Sequence, residues 1–147
     1  MRTITKIIPA LVLAGLVVLF STAAAADEDN RSVEVRTIVA AVDGDSFDDD
    51  LEDLRGQLER GFEGYTSFRQ INQQSRKLGD ESPARFRLPT EDRLELTYHG
   101  RAGEFVKLGL SIEDRLSTTL RATPGSTFFQ AGLRHEEGIL ILAITVR

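Results

Sequence analysis

The stretch from Ile139 to Val146 has the most distinctive hydrophobic pattern near the C-terminus, because it contains no charged residue and no turn-forming residue. A strand with one face in water alternates apolar and polar residues, whereas here both the odd and the even positions are apolar. We therefore predict a strand in the interior of a sheet, with one layer packed above it and another below it.

A second pattern, with apolar residues three or four positions apart, predicts an amphipathic helix that begins at Ser46. Ser46 is a suitable N-cap, and the aspartates from Asp48 to Asp50 suit the positive end of the helix dipole. Gly64 is expected to end the helix, with Gly61 as an earlier alternative. The apolar face, which we expect to lie on the sheet, consists of Phe47, Leu51, Leu54, Leu58 and Phe62.

The rest of the chain has the pattern of strands separated by short turns. The stretch from Val33 to Val42 begins with one polar face, becomes apolar on both, and stops at Asp43-Gly44-Asp45. Tyr65 to Ile71 continues into a polar stretch, Asn72 to Lys77, where we expect fraying or a bulge. Short connections join antiparallel neighbours, since parallel strands need long crossovers. Further strands are predicted at 84–88, 94–99, 105–112, 115–122, 127–131 and 139–146.

Two connections allow a closer prediction. Gly100 to Gly103 is expected to form a tight connection between two strands. A two-residue loop after Ile112 would pair Ile112 with Arg115 and place an arginine on the buried face. A three-residue loop, Glu113 to Arg115, instead pairs Ile112 with Leu116, so that both side chains point into the core. We predict the three-residue loop.

Together these elements predict an α+β domain, in which one amphipathic helix packs on a curled, mostly antiparallel sheet of about seven to eight strands. One helix covers only part of such a sheet. The remaining apolar faces must therefore be buried against the sheet itself, as a sandwich or a partly open barrel. The alternative is a flat meander whose uncovered face binds a partner.

Residues 1–26 have the pattern of a secretory signal peptide. A basic start precedes the apolar run from Ile7 to Phe20, and Ala24-Ala25-Ala26-Asp27 provides the expected cleavage site. The alternative is an uncleaved membrane anchor, but the apolar run is shorter than the roughly 20 residues that a spanning helix needs. We expect no stable membrane span after cleavage, a flexible tether over 27–32 and a single domain over 33–147.

Composition excludes several kinds of site. The chain has no cysteine, which rules out disulfides, thiol catalysis and zinc-thiolate sites. Cleavage would remove Arg2 and Lys6 and no acidic residue, so the net charge would fall from −5 for the whole chain to −7 for the mature domain. An acidic domain is a poor candidate for binding nucleic acid or anionic lipid, which require clustered Lys and Arg. We expect no nucleic-acid partner.

The acidic run from Asp43 to Asp50 has some likeness to a calcium-binding loop. Counted from Asp43, the EF-hand pattern requires an oxygen ligand at the fifth position, Gly at the sixth and Glu at the twelfth. The chain has Phe47, Asp48 and Leu54 at these positions. We therefore interpret the run as acidic residues at a helix start and expect no bound metal.

Asp43 and Asp45 are the carboxylates that an acid–base site could use together with His99 or His135, the two histidines of the chain. The spacing of the histidines matches no metal-binding motif. The sequence also lacks the nucleophile-elbow, dinucleotide-binding and phosphate-binding loop motifs. We assign no catalytic, cofactor-binding or metal-binding residue on these grounds, and no cofactor.

Two further groups of side chains could form contacts with a ligand or partner. Three arginines could line an anion site on one sheet face, although solvated arginines that protect a sheet edge are commoner. These arginines are Arg85, Arg87 and Arg93. Four aromatic residues are candidates for a contact patch, and core packing is the expected role of most of them. They are Tyr65, Phe68, Phe105 and Phe128.

Two short motifs resemble those of a group of small exported bacterial proteins of no established activity. The first motif is Gly64-Tyr65-Thr66-Ser67-Phe68, which follows the helix. The second is Gly125-Ser126-Thr127-Phe128, which leads to Gly138-Ile139-Leu140-Ile141-Leu142. The likeness extends over most of the mature chain. It implies a location in a Gram-negative cell envelope and no catalytic activity.

These observations favour one functional hypothesis and leave one alternative. The first is an exported, non-enzymatic structural or protein-interaction domain of the bacterial cell envelope, periplasmic or secreted, with a protein partner there. It follows from the signal peptide, the well-patterned core and the lack of an assembled catalytic set. The alternative is a small periplasmic hydrolase that uses carboxylate and histidine chemistry.

Overall fold

Eight antiparallel strands in two four-stranded sheets make up most of the computed structural model, which describes residues 31–80, 82–136 and 138–147. The predicted signal peptide and residues 27–30 of the predicted tether lie outside the described residues. Sheet A has the strand order β2-β1-β8-β7 and sheet B the order β3-β4-β5-β6. The strands are β1 (Ser32–Ala41), β2 (Ser67–Lys77), β3 (Ala84–Arg87), β4 (Arg93–Ala102), β5 (Phe105–Ile112), β6 (Leu116–Ala122), β7 (Thr127–His135) and β8 (Gly138–Val146).

Strand β8 lies in the interior of sheet A, between β1 and β7, as its two apolar faces predict. Leu142 and Ile144 point into a buried cluster shared with sheet B. Ile141 and Ala143 point the other way, into a second buried cluster that includes the helix. The prediction of an interior strand with a layer on each side is confirmed. The division into two sheets agrees with the sandwich rather than with the flat meander.

The helix is shorter than predicted, and it begins later. It starts as a 3-10 helix, Asp49–Leu54, and continues as α1, Arg55–Gly61. Its N-cap is Asp48, whose carboxylate accepts from the backbone N–H of Asp50. The buried helix residues Leu51, Leu54 and Leu58 pack on sheet A, so the central part of the predicted apolar face is correct.

Pairing with β2 explains why the helix does not begin at Ser46. The Phe68 backbone N–H donates to the Ser46 carbonyl, and the Asp48 backbone N–H donates to the Phe68 carbonyl, which holds this segment extended. Phe47 therefore lies in an isolated parallel bridge to Phe68 rather than on the helix. At the other end Gly61 is the last residue of α1 and Phe62 is the C-cap, so neither predicted glycine occupies the C-cap position.

Register between strands agrees with one of the two predicted connections and corrects the other. Ile112 pairs with Leu116, which confirms the three-residue loop. Strand β4, however, runs to Ala102 with an irregularity after Tyr98, so the tight connection predicted at 100–103 is shorter and lies at 103–104. The polar end of β2 pairs fully with β1, and the expected bulge lies just before it, opposite the step from Thr37 to Ile38.

Two residues at the start of the described chain belong to the folded part. Ser32, the last residue assigned to the tether, pairs with Lys77 at the start of β1. The guanidinium of Arg31 lies 3.5 Å from the ring centre of Tyr98 and forms an ion pair of 2.7 Å with Asp80. These contacts tie the beginning of sheet A to sheet B.

Candidate anion-binding face

The outer face of sheet B, which points away from the sheet A cluster, is rich in basic side chains. Strand alternation points Leu94, Leu96, Leu108 and Leu110 inward, and the residues between them therefore point outward. The outward charged positions of the four strands carry five basic residues and one acidic residue. They are Arg85, Arg87, Arg93, Lys107 and Arg121, with Glu95 as the acid. We call this surface the basic face.

Strand register places like charges directly opposite each other at two corners of the basic face. Arg87 pairs with Arg93 across β3 and β4, and Lys107 pairs with Arg121 across β5 and β6. Cross-strand neighbours lie about 5 Å apart at Cβ, and like charges at such positions are destabilising. An anion between the side chains would remove this repulsion, so both corners are suited to a negatively charged partner.

The first of these corners continues into a groove between the two sheets. Arg76, on edge strand β2 of sheet A, reaches to within 5.6 Å of the ring centre of Phe86 in β3. Gln74 donates from its side-chain Nε2 to the Arg87 carbonyl at 3.3 Å. The resulting groove of about 350 Å³ is lined by Gln74, Arg76, Arg85, Phe86, Arg87, Glu91 and Arg93. We call it the arginine groove.

The acidic residues Glu95 and Asp92, near the arginine groove, already have ion-pair or hydrogen-bond partners. Glu95 forms an ion pair of 2.8 Å with Arg85. Asp92 accepts from the Thr90 hydroxyl at 2.7 Å and forms an ion pair of 3.4 Å with Arg115. Within the described ranges, the guanidinium groups of Arg87 and Arg93 form no ion pair with any of these carboxylates.

The helical layer on the opposite side of the molecule is acidic. Residues 43–63 contain nine Asp and Glu residues and two Arg residues. Hydrogen bonds from Arg36 lower the pKa of Asp53, and hydrogen bonds from Arg55 lower the pKa of Glu52, so both carboxyl groups are ionised at neutral pH. The molecule therefore carries negative charge on the helical side and positive charge on the basic face.

The residues considered for acid–base chemistry are not assembled into one site. Asp43 and Asp45 follow β1 of sheet A, whereas His99 lies on the basic face of sheet B. His135 is in β7, where its Nε2 lies 3.7 Å from a carboxylate oxygen of Glu136. In the described part of the chain, no hydrogen bond or ion pair joins either histidine to either aspartate, and no group of three potential metal ligands occurs.

The aromatic candidates for a contact patch are mostly packed into the two cores. Phe68 is fully buried beneath the helix, and Tyr65 packs partly against the same cluster. Phe128 packs against the cluster between the sheets. Phe105 differs, since 37% of its surface is exposed at the start of β5. These four side chains therefore form no common contact surface.

Sequence reasoning identified Arg85, Arg87 and Arg93 as candidates but missed Arg76 and Gln74. The two missed residues lie in a polar stretch whose local pattern resembles a solvated strand. Their contact with β3 arises because β2 is the edge strand of sheet A on the side where β3 is the edge strand of sheet B. Only the packing of the two sheets brings these residues to the groove.

Comparison of the chain with protein-family models, with curated proteins and with solved structures found no match. Among the described residues, no helix has the length and hydrophobicity required to cross a membrane.

Proposed function

We propose that this chain is an exported, non-enzymatic interaction domain of the bacterial cell envelope, periplasmic or secreted, whose basic face contacts an anionic partner. The observation that carries the proposal is the concentration of five basic residues against one acidic residue on a single sheet face of an acidic protein. The signal-peptide pattern of residues 1–26 supports the location.

Charge separation supports a binding role for this particular face. Complementary charge steers a partner to the matching surface and suppresses wrong orientations. Because the helical layer is acidic, an anionic partner is repelled from that side and attracted to the basic face. Net charge alone argues against such a partner, whereas the distribution of the charges favours one.

Site-specific photo-crosslinking in the cell envelope tests this proposal. A photoreactive residue replaces Thr119, which is exposed on the basic face, and in a matched control it replaces Gln57, which is exposed on α1. We expect adducts from position 119 and not from position 57. The adducts should disappear when Lys107→Glu and Arg121→Glu reverse the charge of one corner.

Equal adducts from both positions, or adducts that survive the charge reversal, would contradict a charge-directed interface. The absence of adducts from position 119 would contradict the proposal as well. Both replaced side chains are exposed, so we expect the fold to tolerate the crosslinker at either position.

A further inference from the structure

We propose that the arginine groove binds a phosphate group, with Arg87 and Arg93 contacting it from the β3–β4 pair and Arg76 contacting it from sheet A. This inference rests on the proposed function, because it names the chemistry of the anionic partner. It concerns one corner of the basic face and is tested separately from the crosslinking experiment.

The groove has room for a phosphate group together with part of the molecule that carries it. Its volume of about 350 Å³ is at the lower end of the range of about 300–1,000 Å³ found for pockets that enclose drug-sized molecules. Arg76 is held in place at the groove, since it donates to the Ser75 carbonyl at 2.9 Å and to the Gln74 side chain at 3.4 Å. An arginine has five N–H donors, so others remain for a ligand.

The charge balance of the groove favours an anion of more than one negative charge. Four arginines line it, and Glu91 is the acid among the lining residues. Arg85 already forms an ion pair with Glu95, which leaves Arg76, Arg87 and Arg93 as the cations without a carboxylate partner among the described residues. Three guanidinium groups facing one small space repel each other unless an anion lies between them.

Phosphate satisfies this arrangement better than a carboxylate does. A carboxylate accepts one bidentate arginine, as Asp53 accepts Arg36 elsewhere in this chain, at 2.8 and 2.9 Å. A phosphate monoester carries a charge of about −1.5 to −2 at pH 7 and has three strong acceptor oxygens. It can therefore accept from two or three guanidinium groups that approach from different strands.

Two features of the site determine how strongly each charged residue should affect the phosphate affinity. Arg93 also borders a second depression, which contains Glu95, Glu113 and Asp114. Part of its charge is thereby offset, so Arg87 is expected to contribute more than Arg93. Glu91 lines the groove without an ion pair among the described residues, so removing its charge should strengthen phosphate binding.

Titration of the isotope-labelled protein with inorganic phosphate, followed by NMR of the backbone amides and arginine side chains, tests the inference. We expect saturable shifts confined to β2, β3 and the start of β4. Arg87→Gln should weaken the affinity about tenfold, which corresponds to about 1.4 kcal/mol. Glu91→Gln should strengthen it about twofold, as expected for one nearby exposed charge. The matched control, Arg60→Gln, removes an exposed charge from α1 on the opposite side of the molecule and should leave the phosphate affinity unchanged.

Three results would overturn the inference: no saturable shifts, shifts of equal size at all surface arginines, or unchanged affinity in Arg87→Gln. Equally tight binding of acetate would overturn the argument for a divalent anion. Vesicles of phosphatidylcholine with and without phosphatidic acid then identify the source of the phosphate. Binding of the phosphatidic acid vesicles through Arg87, in addition to inorganic phosphate, indicates a lipid headgroup, whereas binding of inorganic phosphate alone indicates a soluble phosphate compound. If the phosphate titration fails but position 119 still forms crosslinks in Arg87→Gln, the proposed function stands and only the phosphate inference is overturned.

Discussion

At the scale of single residues, Gly138 shows how closely β1 and β8 approach each other. A Cβ built on Gly138 would overlap the backbone carbonyl of Ala40, and it would lie 2.9 Å from the carbonyl carbon. Backbone atoms cannot move aside as a flexible side chain can, so the strand pair itself would have to separate. A glycine is required here by the lack of space rather than by an unusual backbone angle.

We therefore expect Gly138→Ala to lower the free energy of unfolding by about 1–3 kcal/mol, the typical cost of overpacking. Gly61→Ala is the matched control, because a Cβ at this last residue of α1 meets nothing within 4 Å. The control should stabilise the protein by about 0.5–1 kcal/mol. Urea denaturation measures both values, and equal midpoints for the two variants would contradict the close approach of the strands.

The Arg36–Asp53 ion pair gives a residue-scale prediction of pH dependence. Hydrogen bonds from Arg36 lower the pKa of Asp53 in the folded state. A carboxyl group with a lowered folded pKa stabilises the protein above its unfolded pKa of about 3.9, and the contribution is lost as the pH falls through the folded pKa. The Asp53 side chain is 57% exposed, so solvent reduces the contribution to about 0.5 kcal/mol.

Asp53→Asn should therefore be less stable than the unaltered protein at pH 7, and the difference should vanish well below pH 4. Urea midpoints at a series of pH values measure it. Asp45→Asn is the control, since Asp45 has no ion-pair partner in the described part of the chain. If the urea midpoint of Asp53→Asn differs from that of the unaltered protein by the same amount at every pH, the ion pair between Arg36 and the ionised Asp53 does not contribute to stability.

At the scale of elements, β8 connects the parts of the fold. It pairs with β1 on one side and β7 on the other, and its two faces enter different buried clusters. A chain end is usually a place where truncation is tolerated. Here the end of the chain is a central strand, so its loss would separate β7 from sheet A and expose both cores.

Removal of the last eight residues, 140–147, should leave no folded domain. Each buried Leu or Ile contributes roughly 1.5–3 kcal/mol, against a total stability of about 5–15 kcal/mol. Leu142→Asp should have the same effect, because it places an unpaired charge at a position that is 1% exposed. Thr119→Asp, on the exposed side of β6, should remain folded. Cooperative urea unfolding of the truncated protein with an unchanged midpoint would refute this role of β8.

At the scale of the whole molecule, the charge is separated between two opposite layers. The helical layer covers one face of sheet A, and sheet B covers the other. Acidic residues concentrate on the first layer and basic residues on the outer surface of the second. A net charge of −5 for the chain describes neither surface. The binding behaviour of this protein is therefore expected to depend on the charge of each surface and not on the net charge.

The proposed export predicts a defined mature chain. Protein recovered from the periplasm or the medium should begin at Asp27, because Ala24-Ala25-Ala26 supplies the small residues of a cleavage site. Intact-mass measurement checks this expectation. Ala26→Leu should block processing, whereas Ala26→Ser should not. Recovery of an unprocessed chain that begins at Met1 would show that the N-terminal segment remains attached.

The sequence alone determined which side chains are buried along most strands and where β8 lies in its sheet. Strand alternation has a period of two, so a stretch that is apolar at all positions requires cover on both faces. The same rule gave the three-residue loop, because the alternative two-residue loop would bury Arg115. It also identified Leu51, Leu54 and Leu58 as the residues that attach the helix to the sheet.

Only the tertiary structure decided how the strands divide into two sheets, where the helix begins and which residues form the arginine groove. Helix initiation at Ser46 is a local preference, and hydrogen bonds between residues 46–48 and the β2 backbone override it. Arg76 meets Phe86 because two edge strands of different sheets lie side by side. Pairing between distant strands depends on the packing of the whole chain, and the local pattern around Arg76 carries no information about it.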